Sequence, residues 1–276
     1  MAVLVASAAS SSSLPTQAVR AVVVRVLLAF VVACLMIMWW RTKGATSSSL
    51  DALVTVAKEK LRGRATAGGP LDPSTLHQLG ALVGQITAAE LGGLAPGSSV
   101  WRRCFSPQHA LRDTPRIAAL PVYEAADFHM TCFLLPKGSA IPLHNHPGMT
   151  VFSKLLFGKI KVRSYDLVST TTANRGSFTA AAAAAAAPIQ AALVADIVVE
   201  AGQPTASPET QTVQPNHGNL HSISALEDSA FFDLLTPPYS QPSRPCSYFR
   251  EKTQLPTNDQ HNPSLVLLEP IPEPFF

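Results

Sequence analysis

Ten short runs rich in β-branched and aromatic residues follow one another from Ile117 to Glu251, each bounded by Gly, Pro, Asn or Ser. They read IAALPVYE, FHMTCFLL, AIPLHNH, TVFSKLLF, KIKVRSY, ALVADIVVE, TQTVQ, NLHSISA, AFFDLLT and SYFRE. Strand-like runs at this spacing, with no helical pattern between them, predict an antiparallel sandwich or closed barrel rather than βαβ units. The series is interrupted once, by LVSTTTANRGSFTAAAAAAAAPIQ between Leu167 and Gln190. Eight alanines are too few for a stable isolated helix. This low-complexity segment, about 168–191, is therefore read as a spacer inserted in a hairpin loop, where added length costs little.

The chain before the strands divides in two. Residues 1–46 contain no Asp or Glu and hold the apolar run AVVVRVLLAFVVACLMIMWW, Ala21 to Trp40. Twenty residues at helical rise span a bilayer core of about 30 Å. Trp39 and Trp40 followed by Arg41 and Lys43 resemble an interfacial belt with a charged flank. Three readings compete for it: membrane association through residues 21–40, a cleaved targeting peptide, or a mistaken gene start. Residues 47–96 read as a helical preface. SSSLDALVTVAKEKLRGR offers a Ser N-cap and Leu50, Leu53, Val54, Ala57 and Leu61 at helical spacing. DPSTLHQLGALVGQITAAELGGL then reads as one or two further helices, with His77 as a surface or capping residue. Residues 97–276 carry the β domain.

Composition excludes little but excludes it clearly. The apolar run and the alanine tract account for much of a 47% hydrophobic, 14% charged chain. A formal charge of +3 comes without a Lys/Arg cluster or an aromatic-basic stripe, so no nucleic-acid partner is expected. Cys34, Cys104, Cys132 and Cys246 show no CxxC spacing, which suits reduced thiols in an intracellular protein.

The chemistry gathers at histidines. Of eight in the chain, His144 and His146 stand one residue apart, and in a strand such residues share a face. The segment from Gly138 through His144-Asn145-His146 and Val151 to Gly158 has the spacing of the first cupin motif, which belongs to a double-sheet jelly roll with a metal at its mouth. That motif usually has a Glu ligand at the Val151 position; neither Thr150 nor Val151 supplies a carboxylate. A third ligand lies in PNHGNLHSIS, where Gly218 precedes His221 as in the second cupin motif. His217 is its rival, while His109, His129 and His261 lack partner spacing and read as structural or surface residues. Three neutral imidazoles hold a divalent first-row metal and leave positions open. They cancel none of its charge, so an iron(II) centre favours an anionic ligand such as a thiolate. Transfer of both atoms of dioxygen to sulfur would give a sulfinic acid, with sulfur supplying all four electrons.

The runs IPLHNHPGMTVFSKLLFGKIKVRSYD, GNLHSI, FDLLTPPYS and CSYFR resemble the plant cysteine oxidases and their animal relative, cysteamine (2-aminoethanethiol) dioxygenase. The resemblance covers roughly Leu50 to Phe249 outside the alanine-rich insertion. It implies a mainly β cupin double-stranded β-helix with an N-terminal α-helical preface. It further implies iron(II), Fe(2+), on His144, His146 and His221, and a monomer in the cytoplasm or nucleus, against which the N-terminal segment sets anchoring or organelle targeting. The implied reaction is dioxygenation of an N-terminal cysteine of a protein or peptide to the sulfinate, which in plants directs the protein to the N-degron pathway as an oxygen-sensing step. Asp233 matches a family acid near the iron, with a structural acid as the competing reading. Tyr239 matches a tyrosine near the pocket. Cys246 and Tyr248 match positions that can be crosslinked in the animal enzyme, with ordinary packing as the alternative. The rival functions are a small-aminothiol dioxygenase, a non-catalytic metal- or ligand-binding cupin, and another metal-cupin reaction such as isomerisation.

Overall fold

The computed structural model describes residues 48–105, 117–168, 188–202, 210–254 and 265–274. The apolar run 21–40, the alanine tract, His109 and His261 lie outside the described residues. Within them, no helix is long and apolar enough to cross a membrane.

The expected Ser cap forms at Ser48. Its hydroxyl accepts the Asp51 amide at 3.1 Å, and the Asp51 carboxylate accepts the Ser48 amide at 3.4 Å. This reciprocal pair starts helix α1, Ser49–Lys60. A short α2, Arg64–Ala67, leads to α3, Pro73–Gln85, which Asp72 caps through the Thr75 amide. The segment read as one or two helices is thus one helix followed by turns. A further short helix, α4, Ser99–Cys104, lies beyond the expected end of the preface.

Eleven strands follow: β1 Ala118–Glu124, β2 His129–Leu135, β3 Ala140–Asn145, β4 Thr150–Phe157, β5 Lys159–Leu167, β6 Ile189–Glu200, β7 Thr210–Val213, β8 Leu220–Ala225, β9 Ser229–Thr236, β10 Tyr248–Gln254 and β11 Leu265–Ile271. β11 has no counterpart among the ten runs read from the sequence; its Pro270 and its flanking prolines mask it there. The strands form one sheet ordered β1-β2-β9-β4-β7 and a second, closed set ordered β10-β11-β6-β5-β8-β3, all antiparallel. The protein is a mainly β cupin double-stranded β-helix with N-terminal helices.

Helices α1 and α3 cover the outer face of the first sheet. Leu53, Ala57, Leu61, Leu79, Val83 and Ile86 pack there against Met130, Phe152, Phe232 and Leu234, all without exposure. Each such large aliphatic side chain contributes roughly 1.5–3 kcal/mol relative to an exposed one. The opposite face of the same sheet meets the second sheet through Leu155, Phe231, Ile160, Val162 and Ile223. β9 is therefore covered on both faces, and all eight of its residues are buried.

The register sorts the inner face of the first sheet into rows. His129, Leu235, Val151 and Val213 lie side by side, as do Phe133, Phe231 and Leu155. Between these two rows runs Thr131, Asp233, Ser153 and Gln211. One polar row is thus enclosed by two largely apolar ones.

Candidate metal centre

β3 and β8 bring His144 directly opposite His221, and opposed residues of an antiparallel pair share a face. His146 stands one residue past the end of β3, where Pro147 has no amide to continue the ladder. A turn closes there as the Met149 amide donates to the His146 carbonyl at 3.1 Å. Asn219 completes the backbone of His146 as a strand would: its Nδ2 donates to the carbonyl at 2.7 Å, and its Oδ1 accepts the amide at 3.3 Å. Asn219 lies in the GNLHSI run, and only this pairing with His146 reveals its role.

The three rings sit edge to face, with centroids 4.7–4.9 Å apart, and all three residues are buried. One ligand atom from each lies within 4.8 Å of the others. Hydrogen bonding sets which nitrogens are free. His144 Nδ1 donates to the Pro142 carbonyl at 2.8 Å, so its Nε2 keeps the lone pair. The Tyr239 hydroxyl is 2.8 Å from both the Asn145 carbonyl and His146 Nδ1. A carbonyl only accepts, so Tyr239 gives its one proton to Asn145 and His146 Nδ1–H donates to the phenol oxygen. That leaves His146 Nε2 bare, 3.1 Å from His221 Nε2. Burial lowers His144 to about 4 and holds His146 and His221 well below the ordinary imidazole value, so the rings are neutral near pH 7. Neutral, buried and converging imidazoles, two of them oriented from behind by hydrogen bonds, fit a divalent metal.

His217 stays apart from this cluster. Its ring is largely exposed and bonds Asp166 at 3.0 Å, while Asp166 also accepts the Gly218 amide at 2.5 Å. His77 is exposed on α3, and His129 is half-buried at the start of β2.

Asp233 projects from β9 into the space between the sheets. It accepts a 2.5 Å hydrogen bond from Ser153 on β4, its one hydrogen-bond partner among the described residues. Burial pushes its carboxyl up to about 7, and the Ser153 bond opposes that rise. Tyr239 stacks on His146 with centroids 5.5 Å apart. The Cys246 thiol lies 4.0 Å from the Asn145 carbonyl, to which it donates a long hydrogen bond, and burial raises its pKa. A cavity of about 150 Å³ reaches from His221 and Ser153 past Leu155, Ile160 and Phe231 to Gln211 on β7. Ser153 and Gln211 were not singled out in the sequence. The signal lay in their polarity within strand-like runs, at positions whose inward direction only the register reveals.

The PCO_ADO family model matches residues 82–275. Plant cysteine oxidase 1 of Arabidopsis thaliana is 33% identical over 226 residues, 78% of this chain and 70% of that protein. Plant cysteine oxidase 2 of the same organism is 32% identical over 176 residues, 63% of this chain and 56% of that protein. 2-Aminoethanethiol dioxygenase of Mus musculus is 30% identical over 213 residues, 74% of this chain and 80% of that protein. The family match runs through strands of both sheets and takes in all three buried histidines; this chain belongs to the PCO_ADO family of cupin thiol dioxygenases.

Proposed function

We propose that the protein oxidises the sulfur of an N-terminal cysteine, in a protein or peptide, to the sulfinic acid. In this reading His144, His146 and His221 hold iron(II). The observation that carries the reading is the pairing of a buried, uncharged ligand set with one buried carboxylate, Asp233, on the facing sheet. Bound iron(II) would supply the redox chemistry by which sulfur gives up four electrons and takes both atoms of dioxygen. Thiol and dioxygen together contain every atom of the sulfinic acid, so no further reductant is needed.

The remaining work falls to the protein. A buried carboxylate without a basic partner is costly, and the α-ammonium of an incoming cysteine would supply that partner. Such a cation favours the ionised form and draws the Asp233 carboxyl down from its raised value. Ser153 keeps the acceptor oxygens aimed while the site is empty of substrate. Tyr239 holds the Nδ1 proton of His146, so that the opposite nitrogen stays available. Leu155, Ile160, Val162 and Phe231 line the cavity and keep bulk water from the sulfur.

Within this proposal the sulfinate serves as a mark for N-degron degradation, and the requirement for dioxygen makes the protein an oxygen sensor. Residues 97–276 form the catalytic domain, 47–96 its helical preface and 1–46 a separate segment. The test is anaerobic loading with iron(II), addition of a peptide beginning with cysteine, and admission of dioxygen. A gain of two oxygen atoms in peptide mass, absent with His221→Ala and with an N-acetylated peptide, supports the reading. An unchanged peptide alongside consumed cysteamine moves the protein to small aminothiols. Inertness toward both leaves a binding cupin.

A further inference from the structure

We propose that Gln211 binds a main-chain carbonyl of a peptide substrate, so that the row Asp233–Ser153–Gln211 favours a peptide N-terminus over a small aminothiol. This rests on the N-terminal cysteine reading above and deepens it.

Three observations meet at Gln211. Its Nε2 is buried and has no hydrogen-bond partner among the described residues. It lines the same cavity as His221 and Ser153. It also stands opposite Ser153 on β7, as Ser153 stands opposite Asp233 on β9, so the three share the inner face. On either side of Ser153 and Gln211 the rows present Val151 and Val213, or Leu155, which offer no polar group; the one polar side chain of those rows, His129, stands at the far end beside Leu235. A buried amide donor without an acceptor is costly and calls for an explanation. Here a ligand acceptor removes the cost.

The spacing selects the kind of ligand. Adjacent strands lie about 4.8 Å apart, so Gln211 stands about 10 Å from Asp233 across the sheet. An extended peptide covers that distance in about three residues. With its α-ammonium on Asp233, the peptide's next backbone carbonyls run toward β7. That strand is the end of its sheet in the described structure, so the chain can continue outward past it. Cysteamine offers the thiol and the ammonium but has no carbonyl, so it leaves the Gln211 donor unpaired. A carboxylate at position 211 would repel the same carbonyl, whereas an amide donates to it.

The experiment compares kcat/KM for the tetrapeptide Cys-Gly-Gly-Ala with that for cysteamine, in iron-loaded wild type and in Gln211→Leu. The expected result is a fall in the peptide-to-cysteamine ratio by about tenfold, the worth of one neutral hydrogen bond, carried by a higher KM for the peptide. Gln211→Asn, which keeps an amide on a shorter arm, is expected to recover part of the loss. A substrate series on wild type guards against a misfolded variant: kcat/KM is expected to rise from cysteamine through cysteine amide to Cys-Gly-Gly. An unchanged ratio in Gln211→Leu, or a flat substrate series, overturns the role of Gln211 while leaving the N-terminal cysteine reading in place. Wild type that oxidises cysteamine and no peptide overturns both.

Discussion

The phenol oxygen of Tyr239 accepts the Nδ1 proton of His146 at 2.8 Å and so turns the bare Nε2 of that ring toward His221. Removing the oxygen but keeping the ring separates this duty from packing. Tyr239→Phe is expected to weaken iron(II) binding about 10- to 100-fold, the usual cost of losing such a supporting hydrogen bond. Anaerobic titration calorimetry reads it. An unchanged Kd would show that the stacked ring alone positions His146.

Asp233 sets stability against function. Its carboxyl is raised from 3.8 to about 7 in the folded protein by burial. Between those values the folded state keeps a proton that the unfolded chain has released, so stability falls as pH rises through this window. Below it, both states are protonated and nothing is lost. Asp233→Asn removes the titration while keeping an acceptor for Ser153. In the metal-free protein it is expected to raise Tm at about pH 8, by up to about 4 kcal/mol in stability, with the gap closing near pH 4. Peptide oxidation is expected to fall in the same variant. A Tm difference that does not change with pH would contradict a carboxyl raised by burial.

The two neighbouring histidines of β8 and its leading turn differ in exposure, and so in consequence. His221→Ala removes a buried member of the triad, and loss of bound iron together with loss of turnover is expected. His217→Ala takes away an exposed ring bonded to Asp166, and near-normal iron content is expected. Elemental analysis of both variants after anaerobic loading decides; equal loss would place His217 among the ligands.

Gly158 joins β4 to β5 with φ +86°, and a Cβ there would collide with the Asp228 carbonyl and Ser229. Gly158→Ala therefore combines backbone strain with overpacking, and about 3 kcal/mol of destabilisation is expected in urea unfolding. Gly202, after β6, has a similar φ of +74° but, among the described residues, nothing within 4 Å of the added carbon. Gly202→Ala is expected to cost only about 1 kcal/mol. Equal costs would show that φ alone sets the penalty at both turns.

Much of this protein could be read without coordinates because its signals are local. Strand runs, the Ser48 cap, the spacing of Leu53, Ala57 and Leu61, and the His144–His146 doublet each depend on residues a few positions apart. Periodicity and capping act over one or two turns, and a sequence displays them directly. Other features depend on partners remote in sequence. Nothing in the chain announces that Asn219 completes the backbone of His146, or that Tyr239 fixes its tautomer. β11 was hidden because its prolines argue against a strand until β6 and β10 are seen to flank it. The choice of His221 over His217 rested on motif spacing, and burial now supplies its physical reason. Asp233 was singled out by resemblance alone, whereas its place in a row with Ser153 and Gln211 follows from the register of β9, β4 and β7. A one-residue slip in any of these pairings would send the polar groups to the helix-covered face. The sequence by itself determined most of the elements, β11 and α4 excepted, and the kind of metal ligand. Tertiary structure decided which polar groups share a face and which nitrogens stay bare, because both are properties of pairings between distant strands.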